Sequence, residues 1–539
     1  MIKYFLLFAM FCAAVQFPKQ INRFGAILRL VGTRLTRKSW VPVVLVVVFP
    51  MLIRAMLLPW WPIPAPVIQD EFSYLYAADT FASGRLWNPS HPLWQFFEAP
   101  HVVVQPAMFS KYPPAQGMLL ALGQIAGEPW LGVWLSSGLL CSSCYWLFAA
   151  LMPRRWALAG ALIPGSSLAL SSYWMNSYWG GNVAAAAGAM MLGSFLRLRN
   201  DPQPRWAAVF ATAWGVLAAS RPFEGACLLA LPLMVGLFWK GLPRTVWLAL
   251  VSTAALFAIL LAGYNTSITG RPWKLPYTVY SEQYAYVPPF AFLPLAPQPA
   301  YLQEIMKTTM SYDESRYLPM RDWSVFSLLA DNWLKILDPC MPQILLAATI
   351  LGLVLSQERL LRWLAGLLAL GMLGVSAEIY HFTHYFAPFV PLLLLFTVVG
   401  LRSIGFGNRW RRATQVTLLA GAAGQSLLAG YRAMHPWDKP SIVELRPVVL
   451  DRLGENLEEH LVFVRDNALR GKNRASWTYN RADLNRTAVI WAADLGDEQN
   501  QKLVQMYPGR RVWMLAIEPP LILQPYGSGN MFQKPIPIP

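Results

Sequence analysis

The sequence predicts an α-helical polytopic membrane protein with a small α/β domain at its C-terminal end. Three observations carry this. Of 539 residues, 55% are hydrophobic and only 13% charged, with a mean hydropathy of +0.37; soluble domains carry about 25% charged residues. Apolar runs of near-spanning length recur along most of the chain. The Lys and Arg residues gather between alternate runs, as the positive-inside rule requires. The formal charge of +16 is therefore spread over connections rather than one domain face, which argues against nucleic-acid binding.

Residues 1–40 combine an apolar run over 4–17, short for a span, with a basic amphipathic stretch holding Lys19, Arg23, Arg29, Arg34, Arg37 and Lys38. No small-residue cleavage site follows the apolar run, which reads as a peripheral or short extra helix rather than a removed signal. The basic stretch reads as a cytoplasmic surface segment. The domain over 41–432 then offers about eleven spans, at 41–59, 129–151, 156–175, 181–196, 206–219, 222–239, 245–263, 342–356, 363–380, 386–401 and 413–430. If each crosses once, Arg154 and Arg155, Arg197 to Arg205, Lys240 and Arg244, Arg359 and Arg362, and Arg402 to Arg412 share the cytoplasmic side. The run at 115–127 would break this pattern if it crossed, so it is placed as a helix in or dipping into the outer interface. The opposite side receives two long loops, about 60–128 and 264–340, and the C-terminal domain over 433–539. There LVFVR (461–465), TAVIWAAD (487–494) and RVWMLAI (511–517) read as buried strands, DEQNQKLVQMY (497–507) as a helix, and the closing PIPIP as an extended segment.

The polar residues of chemical interest fall on that outer side. Asp70 and Glu71 open a predicted helix over 70–83 that Gly84 stops. The pair reads either as a site for a base, a metal or a sugar hydroxyl or as caps for the helix dipole. Farther along come His91, Glu98, His101 and KYPPAQG (111–117), where Lys111 suits a phosphate or a snorkelling contact, with Tyr112 beside it. His91 and His101 lack helical metal-ligand spacing, and Cys141 and Cys144 sit in an apolar run without a second pair. In SYWMNSYWGGN (172–182), Asn176 and Asn182 are within reach of a sugar, among belt aromatics. Arg221 and Glu224 of SRPFEG lie near membrane depth, either a functional cavity or an ion pair closing a turn. His381, His384 and Tyr385 cap another span, with the two histidines three apart and so on one face; proton transfer, phosphate contact and interfacial packing all remain open for them.

The acidic pair after the first long span, the KYPPAQG turn into a re-entering helix and the alternating spans resemble the C-type glycosyltransferase superfamily (GT-C), in the branch of protein O-mannosyltransferases and lipid A aminoarabinose transferase. The resemblance covers about residues 40–400 in architecture but only the first loop in motif. It implies a polyprenyl-phosphate-linked sugar donor, a glycan, lipid or protein acceptor, and an inverting transfer to a hydroxyl. It also implies the outer face of a bacterial inner membrane, with Asp70 as general base and Glu71 supporting it. Some members use a divalent metal at the acidic pair; no ligand set for one is legible here. Lys111, Arg221 and one of His381 or His384 are candidates for the phosphate on chemical grounds alone. No β-trefoil repeat follows the spans. A transporter or flippase of lipid-linked glycan and a non-catalytic envelope assembly protein are the alternatives; the first would place its site at mid-membrane between repeated halves, and no repeat is visible.

Overall fold

The computed structural model describes residues 10–12, 14–321, 326–405, 409–434, 445–454, 458–465, 477–517 and 521–527. Most of the apolar run at 4–17 and all of PIPIP lie outside them.

Helix α1 (Pro18–Leu35) meets α2 (Trp40–Met56) at 109°. The outer loop contributes α3 (Gln69–Ala82), the short strands β1 (Asn88–Pro89), β2 (Val102–Val103) and β3 (Ala107–Ser110), and α4 (Pro114–Ile125). Gly84, at φ 74°, ends α3 in the left-handed conformation glycine tolerates. Next come α5 (Trp130–Phe148), α6 (Arg154–Ser166), α7 (Asn182–Asn200), α8 (Pro204–Ala218), α9 (Ala230–Phe238) and α10 (Arg244–Thr269). The second outer loop carries α11 (Pro276–Tyr284), α12 (Glu304–Arg321) and α13 (Phe326–Leu337). The helical part closes with α14 (Leu346–Leu355), α15 (Arg359–Ser376), α16 (Val390–Gly405) and α17 (Arg409–Met434).

Each of the eleven runs from 41 to 430 holds helix, yet they are not all of spanning length. Among the described residues, Trp130–Phe148, Arg244–Thr269, Arg359–Ser376 and Ala387–Ile404 are long and apolar enough to cross a membrane, and α1 with α2 pass the same test as one bent pair. Others are short or interrupted: α6 runs into a π-helical turn at Ser167–Ser171, and α9 follows another at Pro222–Leu229. Helix α4 has 12 residues and so covers about 18 Å, short of the ~30 Å hydrocarbon core.

Helix direction sorts the polar groups. Helix α6 starts at Arg154 and ends before the 172–181 turn; α7 returns from Asn182 to Arg197 and Arg199; α8 runs from Arg205 towards Arg221. Helix α15 runs from Arg359 towards Glu378, and α16 from beside Tyr385 to Arg402. The basic ends are also joined in space: Arg412 Nη1 donates to Asn22 Oδ1 at 2.5 Å, and a Cβ on Gly32 of α1 would touch the Arg155 side chain at 3.4 Å. Packing inside is close. A Cβ on Gly400 of α16 would fall 1.8 Å from the Ala348 carbonyl oxygen of α14, so these two helices touch backbone to backbone, as small residues permit in membranes.

The C-terminal part holds α18 (Arg446–Gly454), β4 (His460–Arg465), β5 (Val489–Ala493), α19 (Asp497–Met506), β6 (Arg511–Ala516) and β7 (Ile522–Pro525). The sheet order is β5-β4-β6-β7, with β4 parallel to β5 and β6, and β7 antiparallel to β6. The three predicted strands and their helix are present; α18 and β7 are additions. One face of the sheet joins the first outer loop in a shared core, where Phe72, Phe96, Phe97 and Val104 pack with Leu461, Phe463 and Ile490.

Candidate functional site

The acidic pair divides its roles. Glu71 is buried and accepts backbone N–H groups from Val67 (2.7 Å) and Ile68 (3.1 Å) on Oε2 and from Tyr178 (3.1 Å) on Oε1. It thus closes the first turn of α3 and ties it to the 172–181 turn. Burial pushes its carboxyl up to about 7 against those hydrogen bonds. Asp70 faces the other way. Its Oδ1 accepts the Tyr112 hydroxyl, and His101 Nδ1 lies 3.8 Å from the same oxygen and 3.1 Å from the Tyr112 oxygen. With Tyr112's proton directed at Asp70, His101 donates from Nδ1. Burial and nearby Lys111 hold the His101 ring well below its usual range, and hence neutral.

His101 stands at φ 67°, rare for a residue with a side chain. Its carbonyl accepts both Ser73 Oγ (2.6 Å) and Lys111 N (3.0 Å), fixing the turn against α3 and the KYPPAQG segment. The Lys111 ammonium sits 4.8 Å from the Tyr280 ring centroid and 5.2 Å from that of Tyr112. Burial lowers it to about 8, with Asp70 and Asp313 pulling the other way. Asp313, on α12, is itself buried and raised to about 6 against the pull of Lys111 and Tyr380. Nothing in the local sequence around Asp313 singles it out; only the fold of the second outer loop brings it to Lys111.

Arg221 lies close by, across Tyr74 and Tyr385. Ala115 N, in KYPPAQG, donates to Ala219 O at 2.9 Å, which joins that turn to SRPFEG. A Cβ on Gly117 would come within 2.8 Å of Ala77 Cβ, so α4 lies tight on α3. Arg221 pairs with Glu224 at 3.5 Å and lies 4.4 Å over the Tyr385 ring. Tyr74, stacked on Tyr112 at 4.3 Å, and Tyr385 each lie within electrostatic reach of both Asp70 and Arg221. A small cavity lined by Tyr74, Gln116, Gly180, Ser220 and Arg221 opens beside them. The site is a tyrosine-walled seam with a carboxylate and Lys111 at one end and Arg221 at the other.

The remaining predicted residues are placed differently. Residues 381–386 form a turn rather than a helical ramp, so His381 and His384 do not share a helix face. His384 Nδ1 meets the Tyr173 hydroxyl at 2.8 Å near Arg221, while His381 is buried towards Arg316. Asn176 is committed to the scaffold: Oδ1 accepts Arg54 Nε (2.9 Å), and Nδ2 donates to the Leu170 and Ser172 carbonyls. Asn182 Nδ2 donates to Ser136, Ser137 and Trp174 O. Arg54, which the sequence hides inside a span, is fully buried between Trp61 and Trp130, each 4.6 Å away, and donates to the Trp61 and Pro62 carbonyls.

Among the described residues no three His, Cys, Asp or Glu side chains converge as a metal-ion ligand set. Asp70 has Tyr112, His101 and Lys111 as neighbours, a donor-rich and cationic surrounding that does not fit a resident divalent ion.

Fold and site together define an α-helical membrane protein with a half-buried acid–tyrosine–lysine pocket at the helix ends opposite its basic surface. No protein-family profile and no curated protein sequence matches the chain. Similar solved structures include the Archaeoglobus fulgidus oligosaccharyltransferase with zinc and sulfate, 11% identical with a TM-score of 0.47 over 87% of this chain and 67% of that one. Its apo form scores 0.47 at 11% identity, over 89% of this chain and 69% of that one. The archaeal oligosaccharyltransferase AglB of the same organism, with an inhibitory peptide and a dolichol-phosphate, scores 0.40 at 11% identity over 88% and 69%. Likeness at this level assigns no activity to the chain.

Proposed function

We propose that the protein is a membrane glycosyltransferase of the GT-C type. It moves a sugar from a polyprenyl-phosphate donor to an acceptor hydroxyl on the periplasmic side of a bacterial inner membrane, with inversion. The observation that carries this reading is the pairing, in one half-buried seam, of a hydrogen-bonded carboxylate with two separate cations. The carboxylate suits a base; the cations suit a phosphate that leaves with growing negative charge.

The acceptor hydroxyl gives its proton to Asp70 Oδ2 while Tyr112 holds Oδ1. The acceptor oxygen forms its bond to the anomeric carbon from one side as the carbon–oxygen bond to the phosphate breaks on the other. The bonding pair leaves on the polyprenyl phosphate, where Lys111 and Arg221 balance it, with His384 and Tyr385 beside Arg221 and Glu224 orienting its guanidinium. Glu71 and Asp313 position rather than react, one through the first turn of α3 and the other through Lys111. The acceptor is a glycan, a lipid or a protein hydroxyl. The basic helix ends gathered around α1 support a cytoplasmic location for that surface, and hence a periplasmic one for the seam.

The test is turnover in lipid nanodiscs with a panel of polyprenyl-phosphate sugars and simple hydroxyl acceptors, with the product's anomeric configuration read by NMR. Transfer with inverted configuration is expected. Retained configuration, or transport of a labelled donor with no transfer, overturns the reading.

A further inference from the structure

The C-terminal part grips the seam from outside. Four hydrogen bonds from residues 478–482 reach the first outer loop. Thr478 Oγ1 donates to the Glu98 carbonyl at 3.3 Å, and the Tyr479 hydroxyl donates to the Pro100 carbonyl. Arg481 Nη2 and the Ala482 backbone N–H donate to Asp79 of α3 at 2.8 and 2.7 Å. The Tyr479 ring also stacks on Phe72, two residues after Asp70, at 4.6 Å and 6°. Arg446 of α18 lies 5.0 Å over that same Phe72 ring. Tyr479 is buried, so its hydroxyl has no water to turn to if Pro100 moves.

The route inward is continuous. Pro100 precedes His101, whose left-handed backbone must be held by its surroundings. His101 Nδ1 reaches the Tyr112 hydroxyl, and Tyr112 donates to Asp70. Resting on the reading of Asp70 as the base, we infer that Tyr479 is a positioning residue supplied by the C-terminal domain: it pins the Pro100–His101 turn and so aims Tyr112 at Asp70. The domain, whose role the sequence leaves blank, thereby becomes part of the active site's frame. Whatever docks on it and shifts residues 478–482 changes the aim of the base without touching substrate.

The experiment uses Tyr479→Phe in the full-length protein in nanodiscs, which removes the hydroxyl and keeps the stacked ring. Hydrogen–deuterium exchange should rise over residues 99–111 and stay as in wild type over 130–148. In the transfer assay kcat should fall about tenfold, the loss expected of one buried hydrogen bond, while KM for the donor, which meets Lys111 and Arg221, stays within about twofold. Unchanged exchange over 99–111 overturns the grip. Faster exchange with unchanged kcat, or a rise in donor KM alone, overturns the link from grip to base. If wild type and variant are both inactive with every donor, the transferase reading fails by itself, and the exchange data still decide whether the hydroxyl holds the turn.

Discussion

At the residue scale, adjacent carboxylates do different work because a helix start gives successive side chains different directions. The sequence offered base and cap as alternatives for Asp70 and Glu71; the fold assigns Glu71 to three backbone N–H groups and leaves Asp70 facing Tyr112. That division was not legible, since it depends on Tyr178, 107 positions away. Asp313 and Arg54 were equally hidden: one needs the second loop to fold over the first, and the other looks like a stray charge in a span until Trp61, Trp130 and Asn176 surround it. Lys111 gives a pH prediction. Burial places its ammonium near 8, so the charge is present below that value and is lost as pH rises through it. In the proposed mechanism phosphate departure needs the charge, so kcat/KM should decline on the alkaline side with a midpoint near 8. In Lys111→Arg that limb should move at least one unit higher, because guanidinium keeps its proton. An alkaline limb that stays in place in this variant would remove Lys111 from the phosphate role.

At the element scale, most of the architecture was readable because lipid imposes a simple rule: backbone there must satisfy itself, and helices do so. Run positions survive to within a few residues, from Trp130–Phe148 to Arg409–Met434. Length was less legible, because hydropathy does not reveal where a run breaks into π-helical turns. The break at Ser167–Ser171 leads into the 172–181 turn, and the one at Pro222–Leu229 borders the seam, where it sets Glu224 beside Arg221. Orientation remains checkable element by element. With cysteines placed singly at Asn200 and Leu360 in a background lacking the native cysteines, a membrane-impermeant maleimide should label both only after the cytoplasmic face is opened. Labelling of either from outside would reverse the proposed arrangement of α7 and α15.

At the scale of the whole molecule, the chain forms a polar seam by bringing four distant segments to one end of its helices. Glu71 binds the 172–181 turn, Ala115 binds Ala219, Lys111 comes within electrostatic reach of Asp313, and residues 478–482 close the outside. The strands of the C-terminal part were plain from their apolar runs. Their docking against α3 was not, because Phe72 and Tyr479 look like ordinary core residues until they stack. The central claim, that this seam moves a sugar off a polyprenyl phosphate with Asp70 as base, is tested most directly by release of polyprenyl phosphate from nanodisc-held protein, wild type beside Asp70→Asn. Asparagine keeps the size and an acceptor for Tyr112 but cannot take a proton. Release should fall by about 10²–10⁴-fold while the thermal unfolding midpoint stays close to wild type. Equal release from the two proteins, both folded, would contradict the assignment of the base and with it the mechanism proposed for the seam.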